Sequence, residues 1–156
     1  MRLINIYTRK LEEFYDTARP KYFILSHRWE ADEITYKDFI KGRGAACRGY
    51  RKVEELCAFA RLQNENDALK ETFGGSAVEW VWVDTCCINK RSSAELSEAI
   101  NSMFAWYQEA TACFVYLADV TADKPDPTLC TQTIASDGNE VPCIHISPTT
   151  LGSGWD

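Results

Sequence analysis

Two short stretches of this 156-residue sequence collect the side chains that chemistry uses. One is Ser26-His27-Arg28-Trp29-Glu30, the other Asp84-Thr85-Cys86-Cys87-Ile88-Asn89-Lys90. Each directly follows a short apolar run, YFIL at residues 22–25 and WVWV at residues 80–83. Three chemistries can be set against these residue types. A thiolate at Cys86 or Cys87, with His27 as base and Asp84 as its orienter, would make a nucleophile. Zinc would draw on Cys86, Cys87, His27 or His145, but zinc ligands usually come in pairs two to four residues apart and no Cys-x-x-Cys is present. A nucleotide would ask for a glycine-rich phosphate loop after a strand, and neither common form occurs. Gly42, Gly44 and Gly49, interleaved with Arg43 and Arg48, are a faint version of one. Glu30, Glu95 and Glu98 are available carboxylates, although solvation or helix capping explains each as cheaply. Ser26 and Asp84 also have a plain reading, as caps on backbone groups where a strand gives way to a loop. Two such loops on neighbouring strands tip the balance towards a binding site.

The elements that would position these loops follow from hydrophobic pattern. Residues 22–25, 80–83 and 113–117 (CFVYL) are apolar on both faces and rich in aromatic and β-branched side chains. Such runs suit a parallel sheet covered by helices on both sides. Helical spacing appears between them, at Tyr50, Val53, Cys57 and Ala60 over residues 50–62, and at Leu96, Ile100, Met103, Phe104 and Tyr107 over residues 93–108. Met103, Phe104, Trp106 and Tyr107 are expected in the core, with Trp106 off the main stripe and free to meet another helix or a partner. Ser92 and Glu95 have capping-box spacing at the start of the second helix. The fold class is therefore α/β, a central parallel sheet flanked by helices. Residues 3–8 offer an edge strand or hairpin, and Gly74, Gly75 and Ser76 a loop before the second strand. From Thr121 the chain carries Pro125, Pro127, Pro142 and Pro148 and no helical period. Residues 1–120 are accordingly read as the domain and 121–156 as an irregular, Pro-containing tail, in which VPCIHI at 141–146 is one short strand.

Composition narrows the function classes. An apolar content of 46% excludes a disordered chain, and the length suits one domain. A net charge of -6 without a basic block argues against nucleic acid, which needs clustered Lys and Arg. The opening MRLINIYTRKLEEF breaks its apolar residues with charges, unlike a signal peptide, and no run of about 18 apolar residues is long enough to span a membrane. Adjacent Cys86 and Cys87 do not suit disulfide geometry. All seven cysteines are read as reduced and mostly buried, which places the chain in a reducing compartment, the cytoplasm.

Longer blocks carry a family resemblance. YFILSHRWEADEITYKDF (22–39), VWVDTCCINKRSSAELSEAINSMFAWYQEA (81–110) and CFVYLADV (113–120) resemble the heterokaryon-incompatibility (HET) domain of filamentous fungi, and MRLINIYTRKLEEF suits its usual start. The resemblance spans residues 1–120 and implies a part in self/non-self recognition and programmed cell death. The HET domain is in turn similar to the TIR domain, a flavodoxin-like α/β fold that acts either as an assembly module or as an enzyme cleaving the nicotinamide–ribose bond of NAD. That likeness implies a nucleotide site at Ser26, His27, Trp29, Glu30, Asp84 and Asn89, with Trp29 stacking on a base or nicotinamide ring. NAD would be a substrate, and no resident cofactor or metal is implied. Protein partners are implied, with self-association through residues 87–91 (Cys87, Ile88, Asn89, Lys90 and Arg91). Family members typically continue into a motif such as RGWTLQEL, whose glutamate resembles the catalytic glutamate of TIR enzymes. Here the corresponding stretch is Gly154-Trp155-Asp156, so the sequence reads as truncated before that glutamate, with its catalytic residue unknown and its enzymatic activity in question.

Overall fold

A computed structural model describes residues 1–15, 18–116, 132–136 and 139–146, the last two stretches as backbone only. The expected apolar runs form β3 (Tyr22–His27), β4 (Trp80–Trp82) and β5 (Ala112–Tyr116), while Leu117 lies outside the described residues. With β1 (Arg2–Asn5), β2 (Leu11–Glu13), β6 (Gln132–Ser136) and β7 (Asn139–Ile146), they build a seven-stranded sheet in the order β2-β1-β4-β3-β5-β7-β6. The sheet is mixed rather than wholly parallel. Neighbours among β4, β3, β5 and β7 run parallel, whereas β1 is antiparallel to both β2 and β4, and β6 to β7. A tight turn forces the antiparallel pairing of β1 with β2, because parallel neighbours need a long crossover. In that turn Asn5 Oδ1 accepts from the amides of Tyr7 and Thr8, and Arg9 takes a left-handed φ of 57°. β1 itself is an inner strand, and β2 is the edge.

Two long helices make the crossovers. α2 (Arg48–Glu65) joins β3 to β4, and α5 (Ser93–Glu109) joins β4 back to β5. The two steps run in opposite directions across the sheet, so right-handed connections place the helices on opposite faces. The packing agrees: Phe59 of α2 meets Phe114, while Trp106 of α5 meets Trp82 edge to face at 5.7 Å between centroids. Residues 22–25 of β3, buried between these layers, are the centre of the core.

Three differences from the sequence reading have local causes. In α5 the sheet-facing residues are Ala99 and Trp106, with Ala110 buried at the C-cap and Leu96, Met103 and Tyr107 half-buried, leaving Ile100 and Phe104 on the solvent side. Phe104 is 66% exposed and Trp106 only 7%, so the expected roles of these two are exchanged. The rotation lets the Tyr22 hydroxyl donate to Trp106 O at 2.6 Å while the indole packs on Trp82. The Ser92 hydroxyl does cap the helix by accepting from the Glu95 amide, but Glu95 does not return the bond. Its carboxylate takes the Asn89 amide at 2.7 Å and the Arg2 guanidinium. Burial alone would raise the Glu95 pKa, yet these partners hold it below its ordinary value. Finally, β6 and β7 lie within the segment read as an irregular tail, and β7 contains the short strand expected at 141–146. The remainder of 121–156, including Gly154-Trp155-Asp156, lies outside the described residues. Among the described residues no helix is long and apolar enough to cross a membrane.

Candidate functional site

The parallel strands deliver their carboxyl ends to one edge of the sheet, where open α/β folds bind ligands. His27 closes β3, Asp84 follows β4, and Tyr116 closes β5. The stretch after β4 is a single helical turn rather than a loop, α4 (Asp84–Cys87). Residues 28–35 run on from β3 to α1 (Tyr36–Ile40), whose first turn is capped by the Thr35 hydroxyl. The loop is pinned to the start of α2, as Asp32 accepts the Arg48 amide at its carboxylate and the Gly49 amide at its carbonyl, 3.0 and 2.9 Å away. Gly49 has no side chain to obstruct this approach, since a Cβ there would lie 2.4 Å from the Ile34 backbone nitrogen. Gly42 and Gly44 have left-handed φ values of 63° and 82°. Turn geometry and close packing thus account for the glycine pattern that faintly suggested a phosphate loop.

This anchoring aligns a charged network. The His27 imidazole is buried, with Nε2 3.4 Å from Glu33 Oε2 and Nδ1 3.9 Å from Asp84 Oδ1, in ion-pair range but off hydrogen-bond geometry. Burial is the largest influence on it and pushes its pKa below the ordinary value, against the pull of Asp84 and Glu33 and with the help of Lys52. Lys52, on the sheet-facing stripe of α2, is itself buried. Its ammonium bonds the Glu33 carboxylate, donates to Arg28 O at 3.3 Å, and lies 3.3 Å from Glu30 Oε2 and 5.4 Å from the Tyr116 ring centroid. The Glu30 amide donates to Glu33 Oε1 at 3.1 Å.

Asp84 links this network to the surface. Trp29 Nε1–H donates to Asp84 Oδ2 at 2.8 Å, and Lys90 Nζ lies 3.8 Å from the same oxygen and 3.2 Å from the centre of the Trp29 ring. Burial lowers the Lys90 pKa, with Asp84 opposing.

Between these groups opens a cavity of about 470 Å³. Its apolar wall includes Ile34, Tyr36 and Ile88, and its polar wall Glu30, Glu33, Thr85, Asn89 and Lys90, with Trp29 at the rim between them. Buried polar atoms without hydrogen-bond partners cluster here: both His27 nitrogens, Glu30 Oε2, Glu33 Oε2, Asp84 Oδ1 and Thr85 Oγ. Native interiors rarely leave so many donors and acceptors unsatisfied, and sites that receive a ligand or water are the usual exception.

Of the expected site residues, Trp29, Glu30 and Asn89 line the cavity, and His27 and Asp84 belong to the network behind it. Ser26 is a strand residue paired with Val115 and is not in the cavity wall. A cysteine nucleophile does not fit, because Cys86 and Cys87 are both buried and burial raises the Cys86 thiol well above its usual range. Glu95 and Glu98 line a separate cavity of 310 Å³, where Arg2 occupies Glu95. Glu33 and Lys52 are the site residues that sequence reasoning missed. A lysine in the apolar stripe of α2, one residue before Val53, was the legible signal for Lys52.

Residues 22–143 match the model of the heterokaryon incompatibility protein (HET) family. The chain is also 47% identical over 109 residues to the vegetative incompatibility protein HET-E-1 of Podospora anserina, a stretch that is 69% of this chain and 7% of that protein. No solved structure matches it.

Proposed function

The chain belongs to the heterokaryon incompatibility (HET) family, and on that premise we propose that it is a self/non-self recognition and programmed cell-death signalling module of a filamentous fungus, acting in the cytoplasm. The observation that carries the reading is the 470 Å³ cavity at the carboxyl ends of parallel strands, with a charged network behind it in which several buried polar atoms lack hydrogen-bond partners. Such an arrangement is built to receive a small ligand, and a signalling module can be switched by one. Strand order supports a TIR-like, flavodoxin-like frame. The parallel strands β4-β3-β5-β7 are second, first, third and fourth in chain order, the beginning of the 2-1-3-4-5 order of flavodoxin-like sheets.

A second reading, cleavage of NAD at its nicotinamide–ribose bond, is favoured by one feature: an indole with three carboxylates grouped behind it, Glu30, Glu33 and Asp84. As nicotinamide leaves, the ribose carbon becomes oxocarbenium-like, and a preorganised carboxylate in a partly dry pocket stabilises that charge. Pairing with a protein partner or a second copy would use the stretch 87–91. Its Cys87 and Ile88 are buried, so Asn89, Lys90 and Arg91 are the residues such a surface would present.

The test is induced expression of the chain in fungal hyphae, scored by growth arrest and dye uptake. The expected result is death with the wild-type chain and survival with Asp84→Asn at equal protein level. Death undiminished by Asp84→Asn would remove the cavity from the mechanism. NAD measured in the same hyphae, and with the purified chain, separates signalling without turnover from glycohydrolase action.

A further inference from the structure

We propose that the 310 Å³ cavity between α5 and the β1–β2 hairpin is a docking pocket for one arginine side chain of a partner protein. It shares Ile88 with the larger cavity and no other lining residue. Sheet and helix form it together. Trp106 of α5 packs on Trp82 of β4, while β1 and β2 carry the sheet on past that contact. Trp82, Ile88, Ala99 and Trp106 give the cavity an apolar lining. Its volume is at the small end of ligand pockets, which suits one side chain better than a large cofactor.

The charges in the wall set the sign of the guest. Arg2 and Glu13 are cross-strand partners in the antiparallel register, so their side chains share one face of the sheet. Glu95 and Glu98 meet them from α5. Three carboxylates thus stand against two cations, the Arg2 guanidinium and the Met1 ammonium. Both Arg2 Nη atoms bond the Glu95 carboxylate, and the ammonium donates to Phe14 O at 3.0 Å. Glu13 and Glu98 remain exposed and outside any ion pair among the described residues. One positive charge set between them balances the wall. Aromatic faces and carboxylate oxygens favour a planar guanidinium over the compact, strongly hydrated ammonium of lysine. The apolar stem of an arginine would lie along the lining while its head reaches Glu13 and Glu98. At the edge of the cavity the protein already holds one guanidinium in this manner, because Arg2 pairs with Glu95 and lies 4.7 Å from the Tyr36 ring centroid. Arginine is also a side chain that protein interfaces use as an anchor in such pockets.

NMR titration of the whole chain tests the pocket with three blocked tripeptides that carry arginine, lysine or citrulline between two alanines. Citrulline is the neutral isostere of arginine. We expect arginine to bind about 3–30-fold more tightly than citrulline, the range a cation–π contact supplies. Glu98→Gln should remove most of that preference. Ala94→Phe, which plugs the cavity without changing its charge, should abolish binding. Both positions are exposed, and an unchanged melting temperature confirms that each variant is folded. Asp67→Asn makes the same change to the net charge of -6 from a side chain that is 98% exposed and outside the cavity wall, and should leave binding as it is. Citrulline or lysine binding as tightly as arginine overturns the proposal. So does an equal loss with Asp67→Asn and Glu98→Gln, which would assign the attraction to net charge. Arginine binding that survives Ala94→Phe, or no binding of any of the three peptides, overturns it as well.

Discussion

The Lys52 ammonium is buried against the sheet and bonded to the Glu33 carboxylate, so a charge pair, together with buried Ile34, ties the loop after β3 to the core. Breaking such a pair on one side strands the other charge. Lys52→Met should therefore cost about 3–5 kcal/mol in urea unfolding. Adding Glu33→Gln, which removes the stranded charge, should recover part of that loss. A double variant no more stable than Lys52→Met alone would mean that the pair is not coupled.

The exchanged roles of Trp106 and Phe104 give a second comparison. Trp106→Ala removes a buried ring packed on Trp82 and should cost about 3–5 kcal/mol. Phe104→Ala removes a ring lying mostly in solvent and should change stability by under about 0.5 kcal/mol. Equal losses in chemical denaturation would contradict this orientation of α5.

That exchange shows what the sequence could and could not disclose. Residues 22–25 and 80–83 announced strands because they are short, apolar on both faces and rich in aromatic and β-branched side chains, a pattern that suits a doubly covered sheet. Helical period fixed the existence of α5 but not its rotation, since Leu96, Ile100, Met103, Phe104, Trp106 and Tyr107 leave more than one apolar face available. Tertiary contacts choose between them: Trp82 and the Tyr22 hydroxyl select the Trp106 side. Most of the site was legible for a similar reason. Trp29, Glu30, Asp84 and Asn89 stand next to strand ends, where topology puts ligands. Glu33 is brought in by the Asp32 anchor and by packing at Gly49 and leaves no periodic trace, whereas Lys52 showed only as a charge within the apolar stripe of α2.

A pH dependence follows from His27, which faces Asp84, Glu33 and Lys52. Its folded pKa is below the ordinary 6.5, chiefly because burial opposes the imidazolium. Between the folded and ordinary values the unfolded chain binds more protons, so stability rises with pH in that window. This contribution is complete above pH about 6.5 and is lost as pH falls towards the folded pKa. Melting temperatures taken from pH 8 down to pH 5 should decline below about 6.5 in the wild-type chain and decline less in His27→Gln. Parallel curves would assign the acid sensitivity to other groups.

Gly49 yields the sharpest test of how the site is assembled. In an ordinary exposed helix position, replacing glycine by alanine stabilises by about 1 kcal/mol, because glycine has the greater backbone freedom to lose. Here the new methyl would meet the Ile34 amide nitrogen at 2.4 Å and Glu33 Cα at 2.7 Å, both backbone atoms that cannot swing aside. Overpacking of this kind costs about 1–3 kcal/mol, enough to reverse the usual sign. Gly49→Ala should thus destabilise the chain, and the loop should yield before the helix does. Yielding moves Glu33, and with it the partner of both Lys52 and His27, so ligand binding in the cavity should weaken more than the loss of stability implies. Gly42 serves as the control, since a Cβ there meets nothing within 4 Å and its cost comes only from the left-handed φ of 63°. Gly42→Ala should lower stability without touching binding. A Gly49→Ala chain as stable as wild type, with unchanged binding, would show that α2 and the loop at Glu33 do not press together as described.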